Sequence, residues 1–294
     1  MRVFLTGATG FIGTALVQEL MNAGHQVLGL TRSDAGAKAL ADAGADVHRG
    51  HLEDLDSLRS GAARADGVIH CAFIHDFSKF EANCEIDRRA IEALGAELAG
   101  SGRPLIATFG TAIAAPSGAL ATENDQPSNR LPRGAAEYTT DAVAEKGVRA
   151  MVMRLPQVHN PLKQGLVSYL IATAREKGVS AYVGDGLNRW PAVHLLDAAH
   201  LYRLALEKGT ARARYHAVGE EGVPLRDIAE SIGRGLKLPV VSLSPDQAAA
   251  HFGWLGLFVG SDIPASSALT QERLGWRLSG QPGMIADLDK AQYV

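Results

Sequence analysis

The sequence is poor in cysteine, in aromatic residues and in net charge of either sign. Its two cysteines, Cys71 and Cys84, stand outside any Cys-x-x-Cys spacing. Neither a disulfide framework nor a zinc ribbon is therefore expected, and a reducing compartment fits. Lys and Arg total 29 against 32 Asp and Glu, a net charge of −3. That balance argues against a strongly basic surface, so no nucleic-acid partner is expected. No apolar run approaches the roughly 20 residues of a bilayer span, so no membrane partner is expected either. The histidines are scattered, without a His-x-x-x-His pair or clustered carboxylates, and no metal is expected. A Gly-x-Ser-x-Gly elbow is missing too. The opening run Met1–Leu5 meets Gly7, Gly10 and Gly13 at once, with no small-residue cleavage site after it. It reads as mature structure in a cytoplasmic protein.

What the chain does contain is a rhythm. Apolar runs at Val3–Leu5, Gln26–Leu30, Asp46–Arg49, Gly67–Ala72, Pro104–Phe109 and Val148–Leu155 read as strands. Helical spacing falls between them, at Thr14–Asn22, Ala37–Ala43, Leu55–Ala63 and Cys84–Ala99. This alternation predicts a doubly wound parallel α/β sheet of Rossmann type, covered on both faces. Residues 116–136, rich in Pro, Asn, Gly and Ala, read as a loop. After Pro156 the rhythm loosens, with helix expected at Gly165–Glu176 and Leu195–Glu207. We expect residues 1–157 to form the nucleotide-binding domain. Residues 158–294 would form a small C-terminal substrate-binding lobe, partly woven back onto the sheet.

The strongest local signal is Thr6-Gly7-Ala8-Thr9-Gly10-Phe11-Ile12-Gly13, between the first strand and the first helix. A tight strand-to-helix turn needs glycine where the backbone approaches a pyrophosphate, and the helix N-terminus offers free N–H groups to the anion. Gly-Ala-Thr-Gly-Phe-Ile-Gly resembles the cofactor turn of the extended short-chain dehydrogenase/reductases, the NAD-dependent epimerase/dehydratase family. Val68–Ala72, Arg154–His159 and the stretch from Gly184 through Trp190 to Ala199 are similar to further segments of that family. The resemblance implies a bound dinucleotide held by Gly7, Thr9, Gly10, Phe11, Ile12 and Gly13. It adds Leu52 and the Cys71-Ala72-Phe73 strand end to the cofactor site.

The second strand runs into Thr31-Arg32-Ser33, with no acid where a ribose 2′-OH would be held. Arg32 can pair with a 2′-phosphate and Ser33 can donate to it, so NADP is expected over NAD. His51 replaces the acid that the family usually carries after the third strand. The family's catalytic Tyr-x-x-x-Lys is also missing. Counting back from Val148 puts that pair at Asn129 and Arg133. Arg133 would hold the ribose or an anionic substrate, although an arginine does not give up a proton near neutral pH. Thr111 resembles the catalytic hydroxyl. Tyr138 and His159 are the candidate proton donors, each with a structural alternative as a packed tyrosine or a backbone-bonded histidine.

His75, Asn188, Arg189 and Trp190 are the candidate substrate residues, Trp190 as a flat apolar wall. The expected activity is NADPH-dependent reduction of a carbonyl on a small, largely apolar substrate. A non-catalytic NADP-binding sensor, or a nucleotide-sugar epimerase/dehydratase, is the alternative. The resemblance also implies a possible homodimer through Cys84–Ala99 and the short helix around Ala136–Lys146.

Overall fold

In the computed structural model, the described residues are 1–114, 117–128 and 131–291. The first half alternates as β1 (Arg2–Thr6), α1 (Phe11–Asn22), β2 (Gln26–Thr31), α2 (Asp34–Asp42), β3 (Asp46–Arg49), α3 (Leu55–Ala63), β4 (Gly67–His70), α4 (Phe80–Leu98), β5 (Pro104–Gly110), α5 (Pro132–Ala144) and β6 (Arg149–Leu155). The second half carries β7 (Gln157–Asn160), β8 (Lys163–Gln164), α6 (Val167–Lys177), β9 (Ser180–Val183), β10 (Arg189–His194), α7 (Leu195–Lys208), β11 (Arg214–His216) and β12 (Glu220–Pro224). It closes with α8 (Leu225–Leu236), β13 (Val240–Leu243), α9 (Pro245–Phe252), α10 (Gly256–Val259), α11 (Ala268–Leu274) and α12 (Met284–Lys290).

Seven parallel strands form the central sheet in the order β11-β6-β5-β4-β1-β2-β3. The order reverses between β1 and β4, and a doubly wound sheet opens its ligand crevice at such a switch point. Strand residues alternate between the two faces. Val3, Leu5, Ile69, Ile106, Met151 and Met153 pack on one face with α1 and α7. Phe4, Val68, Leu105, Ala107, Ala150 and Val152 pack on the other with α3, α4 and α5. Burial on both faces is why these strands read as continuous apolar runs rather than alternating ones.

Caps mark the helix starts. Ser33 Oγ accepts the Gly36 N–H, and Asp54 Oδ1 accepts the Ser57 N–H. Two boundaries differ from the sequence reading. α5 begins at Pro132, inside the stretch read as a loop to 136. Proline at the first helical position presets the dihedral, and Arg133 and Glu137 tie that turn into the interior. α4 begins at Phe80 rather than Cys84, behind a 3-10 turn at Phe77–Lys79 that Asp76 caps.

Beyond the central sheet lie a four-stranded sheet, β12-β10-β7-β8, and a parallel pair, β13-β9. Their core gathers Val167, Leu170, Trp190, Ile228, Leu255 and Met284. β11 pairs with β6 at the edge of the central sheet. No helix among the described residues is long and apolar enough to cross a membrane.

Candidate cofactor and substrate site

The turn after β1 is shaped by two close approaches. Gly7 sits at φ +73°, and a Cβ there would lie 2.9 Å from the Ala72 nitrogen. Gly13 brings α1 onto the turn so tightly that a Cβ would lie 1.9 Å from the Gly7 oxygen. Gly10 caps α1 without a side-chain bond, and the first turn holds no acid. The helix therefore presents open N–H groups and partial positive charge at the sheet's switch point. Phe11 and Ile12, half-buried, open the helix, while Thr9 is exposed. This cradle, which any β-carbon would fill, fits a dinucleotide pyrophosphate.

At the end of β2, Thr31 is buried and Arg32 is exposed. Among the described residues no ion pair involves Arg32. Ser33 spends its lone pair on the α2 cap, which leaves its hydroxyl proton to donate. Arg49, level with Thr31 on β3, pairs with Asp34 at 2.5 Å, and Leu52 is half-buried beyond it.

The ends of β4 and β5 carry a polar chain that the sequence did not reveal. Thr6 Oγ1 accepts the Ala72 N–H and meets His70 Nδ1 at 2.8 Å. His70 Nε2 lies 3.1 Å from Asp87 Oδ1 on α4. All partners are satisfied when the hydroxyl donates to Nδ1 and the ring donates from Nε2. Asp87 Oδ2 is in ionic contact with Arg133 Nη1 at 2.5 Å, without hydrogen-bond alignment. Arg133 Nη2 donates to the Thr108 carbonyl at 2.7 Å. Its guanidinium lies 4.0 Å from the Phe73 ring centroid and 4.7 Å from that of Phe109.

Beneath this chain, Thr108 Oγ1 and the Tyr202 hydroxyl are 2.7 Å apart. Burial holds the Tyr202 phenol well above its ordinary range and pushes the neighbouring Cys71 thiol up to about 11. One signal for Asp87 was available: it shares a helical face with Ala90, Ile91 and Leu94, all buried. A carboxylate on an apolar face calls for a cation, but its partner could not be named.

Thr111 is buried at the start of a short turn after β5. Asn129, the position matched to the missing tyrosine, lies outside the described residues. Tyr138 donates its hydroxyl to the Pro127 carbonyl at 3.1 Å. His159 requires a correction. Its ring has no exposed surface, and Nδ1 lies 2.7 Å from Asp287 on α12, with His194 and Glu220 around it. Burial holds its pKa below the ordinary value. It clasps α12 to β7 and β10.

The substrate trio is corrected likewise. Asn188 Nδ2 donates to the carbonyls of Val259 and Ser261, and Arg189 makes a two-pronged pair with Asp262 at 2.9 and 3.0 Å. Trp190 is fully buried and donates to the Phe258 carbonyl. These side chains tie the strand to the 258–262 segment because a buried β-strand turns its tryptophan inward.

Phe77, which follows β4, and Trp254, within the apolar run His251–Phe258, join an aromatic cluster that reaches the Phe73 ring under Arg133. Phe77 stacks on Trp254 at 4.1 Å and 10°, and Tyr169 meets Trp254 edge-on at 5.2 Å. Exposed His75 joins them through Phe73 and Phe77. Burial, Arg133 and Lys163 together hold the His75 pKa below its ordinary value. Among the described residues no group of three or more metal-ligating side chains occurs.

A second buried network closes the upper edge of β6. Arg154 pairs with Glu137 through Nε and Nη2 at 3.0 and 2.6 Å. Its Nη1 lies 3.2 Å from His216 Nε2. Arginine only donates, so Nε2 accepts and Nδ1–H donates to the Ser266 carbonyl at 2.9 Å. Burial and the Arg154 charge push the His216 pKa down to about 3. The unfolded chain therefore binds a proton that the folded chain refuses. Stability from His216 is complete above the unfolded value near 6.5 and is lost as pH falls from there toward about 3. The expected loss is ~2 kcal/mol between pH 6.5 and 5 from this histidine alone. Urea melts of His216→Gln should show a flatter acid limb than the parent. An unchanged slope would assign the acid sensitivity elsewhere.

The comparisons agree with this geometry. The family model described as NAD dependent epimerase/dehydratase family matches residues 3–218. An uncharacterised protein of Schizosaccharomyces pombe is 51% identical over 279 residues, covering 94% of this chain and 95% of its own length. The sterol-4-alpha-carboxylate 3-dehydrogenase, decarboxylating, of Dictyostelium discoideum is 28% identical, covering 76% of this chain and 73% of its own. The dTDP-glucose 4,6-dehydratase of Streptomyces venezuelae, solved with NAD bound, superposes with a TM-score of 0.77 at 19% identity, over 99% of this chain and 95% of that one. With the parallel sheet, the glycine cradle at its switch point and a family match over most of its length, this chain belongs to the NAD dependent epimerase/dehydratase family.

Proposed function

We propose that the protein is an NADPH-dependent oxidoreductase that reduces a carbonyl on a small, largely apolar molecule. The observation that carries this reading is the glycine cradle lying beside a surface of aromatic rings on which the Arg133 guanidinium is seated. Residues 1–157 hold the cofactor, and residues 158–294 supply the far wall of the substrate site. A nicotinamide bound there supplies a hydride.

The chain's own residues do the remaining work. Gly7, Gly10 and Gly13 let the α1 N–H groups reach the pyrophosphate. Arg32 meets the 2′-phosphate, with Ser33 donating beside it. Phe73, Phe77, Tyr169 and Trp254 exclude water and favour an apolar substrate. Arg133, oriented by Asp87 and the Thr108 carbonyl, places fixed positive charge where negative charge develops on the carbonyl oxygen. Thr111 donates to the same oxygen, and the alkoxide takes its proton from solvent water, leaving hydroxide to the bulk, as the product leaves and the rings part from it. The sterol in the Dictyostelium relative's name supports an apolar substrate.

A second reading, an NADP-binding sensor, is favoured by one feature: the Arg133 charge is already answered by Asp87, and the Tyr138 phenol is committed to Pro127. Incubation with NADPH and a panel of aldehydes, ketones and enones separates the two. Substrate-dependent NADPH oxidation that falls about 100-fold in Arg133→Met supports the reductase. Binding without oxidation across the panel moves the reading to the sensor. Arg32→Glu should weaken NADPH at least tenfold and leave NADH unchanged. Equal effects on both would remove the 2′-phosphate assignment.

A further inference from the structure

We propose that Lys163, carried by the smaller lobe, is a second-body cation for the dinucleotide pyrophosphate and clamps the lobe onto the bound cofactor. The inference rests on reading the turn after β1 as a dinucleotide site, and it adds a residue that the turn itself does not contain.

Lys163 opens β8, paired with Asn160 at the end of β7, far along the chain from the turn. Its ammonium nevertheless lies 5.8 Å from the ring centroid of Phe11, the first residue of α1. The hairpin that carries it is well braced. Asn160 Oδ1 accepts the N–H groups of both Leu162 and Lys163, at 2.9 and 3.0 Å. Gln164 Nε2 donates back to the Asn160 carbonyl at 2.9 Å, and the Gln164 N–H is held by Ser168 Oγ at 3.0 Å. The side chain is thus delivered by a fixed piece of backbone.

Lys163 is exposed, and the helix end beside it carries no acid. A helix N-terminus carries partial positive charge, which repels a cation. Side chains that favour this end are acidic, yet the first turn of α1 has none. Among the described residues no carboxylate pairs with Lys163. Its ammonium faces the Phe11 ring, and its charge opposes protonation of His75. Two positive elements from different parts of the fold therefore converge without an anion between them. A diphosphate answers both, accepting from the α1 N–H groups on one side and from the ammonium on the other. A cation from the lobe also makes cofactor binding draw the lobe and the sheet together.

Both nicotinamide dinucleotides share the pyrophosphate, whereas only NADPH carries the 2′-phosphate that Arg32 would meet. The test uses the full chain and four probes: NADPH, NADH, ADP-ribose and adenosine 2′-monophosphate, by nicotinamide fluorescence or titration calorimetry. In Lys163→Met, NADPH, NADH and ADP-ribose should each weaken by roughly tenfold, with a shallower salt dependence. Adenosine 2′-monophosphate, which lacks the pyrophosphate, should bind as in the parent. Lys163→Arg should recover most of the loss. Unchanged affinity for all three pyrophosphate-bearing probes would overturn the clamp and leave the dinucleotide reading intact. Weakening confined to NADPH would reassign Lys163 to the 2′-phosphate and also overturn it. Failure of the parent protein to bind any of the three would overturn both readings together.

Discussion

Glutamine in place of Glu137 is expected to lower the unfolding free energy by about 3–5 kcal/mol. The carboxylate is fully buried between two guanidinium groups. Its Oε1 accepts from Arg154 at 2.6 Å and from Arg214 at 2.7 Å, and its Oε2 takes the second Arg154 bond. The amide keeps the shape and one acceptor oxygen but removes the charge and turns an NH2 donor against a guanidinium, leaving the Arg154 charge buried with neutral partners alone, the Asp125 carbonyl and His216 among them. Arg214 suffers less, because it retains Asp141 at 2.7 Å. For a chain of this length the thermal midpoint should fall by roughly 10 °C. The arrangement also predicts a recovery. An apolar pair, Glu137→Leu with Arg154→Met, should regain at least half of the loss, since desolvation then falls on neither partner. Denaturant melts of the parent, the single variant and the pair decide it. Independent, additive losses would show that the two side chains do not act as a unit.

The second large effect is on ligand binding. Gly13→Ala should abolish measurable dinucleotide binding, a loss of at least 100-fold. Its β-carbon would fall 1.9 Å from the Gly7 oxygen and 2.8 Å from the Ala8 Cα. Both are backbone-bound atoms with no rotamer to yield, so α1 must lift away from the turn. Its N–H groups would then no longer converge on one anion, and such donors are worth most when preorganised. The same substitution at Gly10 is gentler, because its only close contact would be the Gly7 oxygen at 3.2 Å. Titration calorimetry with ADP-ribose should therefore rank Gly13→Ala well below Gly10→Ala, with circular dichroism showing the sheet retained in both. Equal affinities would mean that the turn does not hold the ligand through its backbone.

The contrast between these residues and the corrected ones shows where sequence reasoning carries. The cofactor turn is contiguous, and its demands are local: a left-handed dihedral at Gly7, a close approach at Gly13 and a helix start without an acid. Residue type records such demands directly. The strand runs record burial on two faces, from which a parallel sheet follows. Pro132, read as part of a loop, opens a helix because Arg133 and Glu137 anchor that turn from inside, and no local pattern reports an anchor.

By itself, then, the sequence determined the fold class, the position of the phosphate-binding turn and the lack of a family-type Tyr-x-x-x-Lys pair. Only the tertiary structure decided which polar groups meet. It brought Asp87 to Arg133, Tyr202 to Thr108, and Phe77 onto Trp254. It also withdrew His159 into a clasp with Asp287, and Trp190 into the lobe core. The physical reason is that periodicity reports whether a side chain is buried, while crossover connections decide what it is buried against. A buried charge or ring has a role only through its partner, and the partners here come from elements far apart in the chain.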